Sequence, residues 1–171
     1  MPTDTTAEQQ LWPLIKGIKF AMFTTHYGED EMHSRPMTTQ NKEMPDDKLW
    51  FFMSIKSDAV EELTKQPTVN ISYADTGKDT YVSVSGSAQV VEDKAKVQAL
   101  WSKFAEAWFP GGVDDSDLAL VCVTVSDAHY WNVPENKLTQ LFVMAKAAFS
   151  GEKAELGESG KALLGSEART M

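Results

Sequence analysis

Leu49-Trp50-Phe51-Phe52-Met53 is apolar at five consecutive positions, too short for a helix and too apolar for a strand with one wet face. It predicts a central strand covered on both faces. Upstream, Asn41 to Lys48 is a polar connection. Before that, Met32 to Thr39 reads as a strand with His33, Arg35 and Met37 on one face and Ser34 and Pro36 on the other. Pro36 marks an edge or a bulge. Further back, Ile18 to Thr25 sets Ile18, Phe20 and Met22 against Lys19 and Ala21, the period-two pattern of a half-buried strand. A short helix around Glu8 to Gly17 precedes it, and His26 to Asp30 reads as the hairpin loop. These first three strands read as a meander.

Downstream, Asp58 and Glu61 have the capping-box spacing, Val60 and Leu63 supply an inward face, and Pro67 lies just beyond the end. A short helix therefore follows the apolar strand directly. Thr68 to Ala74 and Thr80 to Val91 are two more strands, joined across Asp75-Thr76-Gly77-Lys78-Asp79, and Gly86 marks a bulge. From Asp93 to Trp108 the residues Val97, Leu100, Trp101, Phe104 and Trp108 recur at helical spacing until Pro110-Gly111-Gly112 breaks the pattern. Leu118 to Ser126 and Ala128 to Trp131 give a last pair of strands, and an apolar-striped helix is expected near Leu138 to Phe149. Short connections imply antiparallel pairing, and closing such a sheet removes its exposed edges. The expectation is a mainly β (α+β) fold, a small antiparallel barrel with flanking helices over residues 1–149. Residues 150–171, rich in Gly, Ala, Glu and Lys, read as a mobile or partly ordered tail.

A length of 171 residues suits one domain, and a net charge of −9 disfavours nucleic acid and anionic lipid as partners. No apolar run approaches the ~20 residues of a membrane span. Met1 to Gln10 has neither a basic flank nor an apolar stretch, so a cytoplasmic location is expected. The single cysteine, Cys122, sits in the apolar run Leu118 to Val125 and reads as core. Only two arginines occur, and Arg169 is in the tail, which leaves Arg35 as the one guanidinium in the body.

Lys56-Ser57-Asp58-Ala59 stands where a strand hands over to a helix, a place where free N–H groups and the positive helix end make a phosphate seat. Ser57 and Lys56 would add a hydrogen bond and a charge, and Arg35 a second cation. The same residues also read as a plain helix cap with Lys56 in solvent. His26, His33 and His129 have no ligand spacing, no Gly-x-Ser-x-Gly turn presents a nucleophile, and no Gly-rich nucleotide loop is present. Trp108, at a helix end beside Phe109-Pro110-Gly111-Gly112, either covers a planar ligand or completes the core stripe of its helix.

The order His33-Ser34-Arg35-Pro36-Met37, Leu49-Trp50-Phe51-Phe52, the Ser57 helix start, Tyr81-Val82-Ser83-Val84-Ser85-Gly86 and Trp108-Phe109-Pro110-Gly111-Gly112 resembles the general stress protein 26 family. That family belongs with the pyridoxamine 5′-phosphate oxidase-like flavin-binding split barrels, and the resemblance covers roughly Leu11 to Phe149. It implies a Greek-key split barrel that forms a homodimer, with a flavin mononucleotide (FMN) in each of two clefts between subunits. Arg35, Pro36 and Met37 would line the isoalloxazine and phosphate region, Phe52 and Met53 would contact the flavin, Ser57 and Lys56 its phosphate, and Trp108, from the partner subunit, the ring. Two positions depart from the pattern: Met53 stands where Thr is frequent, and Ser57-Asp58-Ala59 replaces a Ser-x-Lys pair. Both remove phosphate-binding groups, and Asp58 adds an opposing charge. A less charged phosphate end would alter the preferred flavin, FAD included.

Three functions remain open on these residues: a flavin-holding general stress protein without dedicated turnover, an FMN-dependent oxidoreductase acting on an unknown small substrate, and a cofactor-free dimeric interaction module. Arg35 is already assigned to flavin, which argues against pyridoxamine phosphate as the substrate.

Overall fold

A computed structural model describes residues 10–132, 144–148, 150–151 and 158–161. Strands β1 (Ala21–Tyr27) and β2 (Glu31–Met37) form an antiparallel hairpin whose turn uses Gly28 at φ +71°. The other edge of β1 pairs with β4 (Thr68–Asp75), which pairs with β5 (Thr80–Val91), which pairs with the long β6 (Leu118–Asn132). The far edge of β6 takes β3 (Lys48–Ser54) along one half and the short β7 (Glu158–Lys161) along the other. The order is therefore β2-β1-β4-β5-β6-β3, all antiparallel. The sheet curls until its ends approach: Thr39 bridges to Phe51, the Gln40 N–H donates to the Trp50 carbonyl at 2.8 Å, and Thr39 Oγ1 meets the Tyr73 hydroxyl at 2.6 Å. The result is the expected curled, split antiparallel barrel with a few helices.

Inside the curl lie Phe23, Leu49, Phe51, Ile71, Val84, Val121 and Val123, with Phe23 and Phe51 edge to face at 5.1 Å. On the other side of β3 and β6, Phe52 and Leu120 pack with Val97 and Leu100 of α3 (Lys94–Leu100), Ala105 of α4 (Lys103–Glu106) and Phe109. The double coverage expected for the apolar strand is found. Its position is not the expected one, because β3 ends the sheet and is not central. It does not continue a meander either: the segment just after β2 meets it at Thr39 and Gln40, and its ladder is with β6. Helices take the place of a second neighbouring strand in burying it.

Three other elements differ from the sequence reading. In β1 the inward residues are Ala21, Phe23 and Thr25, while Phe20 and Met22 face outward and are 54% and 43% exposed. Both faces carry apolar side chains, so alternation alone could not set the phase, and a one-residue slip exchanges the faces. The helix expected from Asp93 to Trp108 is broken, since Trp101 adopts extended backbone and Ser102 caps α4 by accepting from the Ala105 N–H. The two expected strands after Leu118 are one continuous β6, which absorbs its irregularity opposite Ser85 and Gly86, where the bulge was expected.

Of the expected first helix, α1 (Trp12–Ile15) is present, and residues 1–9 lie outside the described region. The helix expected near Leu138 to Phe149 also lies largely outside it, with residues 144–148 helical. Within the span read as a tail, Glu158–Lys161 pairs as β7. Cys122 is buried, and burial pushes its thiol up. No helix among the described residues is long and apolar enough to cross a membrane.

Helix α2 (Asp58–Lys65) starts one residue earlier than a capping box on Asp58 would place it. Ser57 is the N-cap: its Oγ accepts from the Val60 N–H at 3.3 Å and donates to the Ser54 carbonyl at 2.7 Å. Ser57→Ala is expected to cost about 1 kcal/mol in urea unfolding, the usual worth of such a cap. An unchanged unfolding midpoint would mean that α2 is held by its packing alone.

Candidate functional site

The end of β2, the end of β3, the start of α2 and the segment around α4 surround a cleft of about 420 Å³. Pro36, Met37, Phe52, Met53, Phe104 and Phe109 form most of its walls, with Trp108 beside them. The local sequence explains the placement. β3 must bury Phe51 inward and Phe52 outward, so Met53 and Ser54 emerge at the strand end, and Ser57 follows at the helix cap. The break at Trp101-Ser102 turns α4 so that Ala105 and Phe109 pack while Trp108 is left 70% exposed. The core-stripe reading of Trp108 is thus overturned: its indole is open to solvent on the cleft.

Polar groups gather where β3 meets α2. Ser54 Oγ donates to Asp117 Oδ1 at 2.7 Å, and the Ile55 N–H donates to the Asp117 carbonyl at 2.7 Å. Ser57, Thr38 and Gln40 add further polar atoms to the lining.

Of the eight residues singled out in the sequence, Pro36, Met37, Phe52, Met53, Ser57 and Trp108 line this cleft together, and Arg35 and Lys56 do not. Lys56 is exposed next to the cap. Arg35 turns to Glu62, which is 7% exposed on the inward side of α2. Its Nη2 donates to Glu62 Oε2 at 2.9 Å and its Nη1 donates to Thr25, which donates in turn to Glu62. His33 Nδ1 lies 2.8 Å from the other carboxylate oxygen. Burial pushes the Glu62 carboxyl up, but the hydrogen bonds from Thr25, Arg35 and His33 and the Arg35 charge outweigh it and hold the group below its usual range. The clue in the sequence was a carboxylate at the inward phase of α2, between Ala59 and Leu63. Phe104 was read only as part of a helical stripe, and Asp117 and Ser54 were not picked out at all, because nothing local marks a lone Asp before an apolar strand as facing a cleft.

A second hollow, about 490 Å³, lies along the other side of α2 between Tyr27, His33, Glu61, Glu62 and Lys65. Tyr27 stacks on His33 at 4.3 Å. Glu61 already pairs with Lys65 and Glu62 with Arg35, and the residues around the hollow are mostly polar or charged.

Residues 6–155 match the family described as pyridoxamine 5′-phosphate oxidase like. The chain belongs to this family. Among solved structures, the general stress FMN/FAD binding protein of Xanthomonas citri is 29% identical, with a TM-score of 0.66 over 76% of this chain and 90% of that one. A Jannaschia sp. CCS1 structure, provisionally named general stress protein 26, shares the fold at a TM-score of 0.72 and 21% identity, covering 90% of this chain and 95% of its own. Protein bli-3 of Neurospora crassa is 26% identical over 82% of this chain and 71% of its own length. As a member of the pyridoxamine 5′-phosphate oxidase-like family, the chain places six of the residues read from its sequence around one cleft, with Trp108 supplied by the same chain as the other five.

Proposed function

We propose that this chain is a flavin-binding general stress protein that holds the isoalloxazine ring in the cleft beside Trp108, with the site completed by a second copy of the chain. The observation that carries the reading is the cleft itself. It is walled by Pro36, Met37, Phe52, Met53 and Phe109, it is flanked by an indole left open to solvent, and its volume falls in the range of small-ligand sites. The Xanthomonas citri relative described as FMN/FAD binding supports a flavin over other planar rings.

A bound flavin supplies redox chemistry that side chains lack. The chain's own residues would bind and orient it: the apolar walls exclude water from the ring, and Ser54, Ser57 and Gln40 offer hydrogen bonds to its polar arm. Among the described residues, Asp117 is the one ionisable group in the lining. Among the described residues of this chain no His, Lys, Cys or Tyr lines the cleft to move a proton, which favours holding flavin over dedicated turnover. Dimerisation is supported by the outward apolar residues Phe20, Met22 and Met32, a surface that a monomer has little reason to keep.

Trp108→Ala is expected to weaken flavin binding about tenfold or more, in line with the roughly 1–3 kcal/mol that stacking on one aromatic contributes. Flavin fluorescence titration reads the effect, and the thermal midpoint should stay unchanged, because so exposed a side chain supports little packing. Equal affinity in the variant would remove Trp108 from the site.

A further inference from the structure

The walls of the cleft fit the ring of a flavin; its polar end does not fit a phosphate. Among the described residues of one chain that line it there is no Lys, Arg or His, and the one charged side chain is the carboxylate of Asp117. That carboxylate is held in place by the Ser54 hydroxyl at 2.7 Å, and its own backbone carbonyl is tied to the Ile55 N–H. The nearby cations among the described residues of this chain are engaged or outside the lining. Arg35 is bound to Glu62 and Thr25, Lys56 is exposed and outside the lining, and Lys19 stands over the ring of Phe104 at 4.3 Å. The start of α2 is itself offset, because Ser57 already caps it and Asp58 occupies its first turn.

We propose that Asp117 sets the ligand preference of this cleft toward a flavin without a terminal phosphate, so that riboflavin binds more tightly than FMN or FAD. The inference rests on the flavin-binding reading above and adds the charge of the ligand to it. A carboxylate at the polar end, in a partly desolvated cleft, repels a phosphate dianion while accepting hydrogen bonds from the hydroxyls of a ribityl chain. Two like charges several ångströms apart at an effective dielectric between those of surface and bulk water correspond to roughly a tenfold difference in binding.

The test is an equilibrium titration of the full chain with riboflavin, FMN and FAD at fixed ionic strength, followed by flavin fluorescence, on the wild type and on Asp117→Asn. Asparagine keeps an oxygen that accepts from Ser54, so the local hydrogen bond survives while the charge goes. The expected result is about tenfold tighter binding of riboflavin than of FMN in the wild type, and a ratio that collapses toward unity in Asp117→Asn. Added salt should also narrow the wild-type ratio. FMN binding as tightly as riboflavin, or a ratio that Asp117→Asn leaves in place, would overturn the proposal while leaving the flavin-binding reading intact. No saturable binding of any of the three would overturn both.

Discussion

Gly86→Ala is expected to destabilise the fold by about 3 kcal/mol, at the upper end of what overpacking costs. A Cβ at this position would lie 2.4 Å from the Thr124 carbonyl oxygen and 2.9 Å from a Val123 methyl. The nearer of these is backbone, so no rotamer change relieves the contact and the β5–β6 ladder must part at its bulge. For a domain of this size that is roughly a 6–12 °C fall in thermal midpoint. The consequence reaches the cleft, because β6 carries β3, and β3 presents Phe52, Met53 and Ser54 to the site. Differential scanning calorimetry checks the stability, and flavin affinity should fall with it. A midpoint within a degree or two of wild type would show that the bulge has room to spare.

Arg35→Ala is expected to cost about 2 kcal/mol, less than the ~3–5 kcal/mol of breaking a fully buried pair, because Arg35 is partly exposed and Thr25 and His33 remain on Glu62. The loss should depend on pH in a defined direction. The folded-state pKa of Glu62 is depressed, so its contribution is present above the unfolded glutamate value of about 4.3 and is lost as pH falls through the lower folded value. Without Arg35 the opposing effect of burial has less to overcome. The variant's deficit should therefore be largest at neutral pH and shrink once acid protonates Glu62. Urea unfolding of both proteins at neutral pH and well below the ordinary glutamate range, at about pH 2–3, reads this. A deficit of the same size at both would mean that Arg35 stabilises through packing and not through the carboxylate. Because Glu62 anchors α2 against β1 and β2, and the cap of α2 is part of the cleft, this pair positions the site without touching its ligand.

The strands were legible because their apolar residues alternate or run together, and the Gly86 bulge because a glycine inside a β-branched strand has few other uses. What was lost was phase and partnership. Phe20, Met22 and Phe23 give β1 two apolar faces, and only the fit of Phe23 against Phe51 decides which turns inward. The apolar run at Leu49 correctly announced two covered faces, yet helices bury a strand as well as strands do, so its place at the end of the sheet was not written in it. At the site, the aromatic and apolar residues were found through the order of motifs along the chain. The scarcity of Arg35 was legible but its pairing was not, since its partner lies 27 residues away on another element. Asp117 went unseen for the same reason: its meaning comes from Ser54, far off in sequence and adjacent only once β3 and β6 pair.

The most direct measurement of the central claim is a titration of the purified whole chain with flavin, followed by quenching of flavin fluorescence and by the visible absorption band. A saturable change with one flavin per chain, much weakened by Trp108→Ala, is the expected result. A linear change with no saturation, identical in wild type and variant, would contradict it and leave the cleft between β3 and α4 without a flavin to hold.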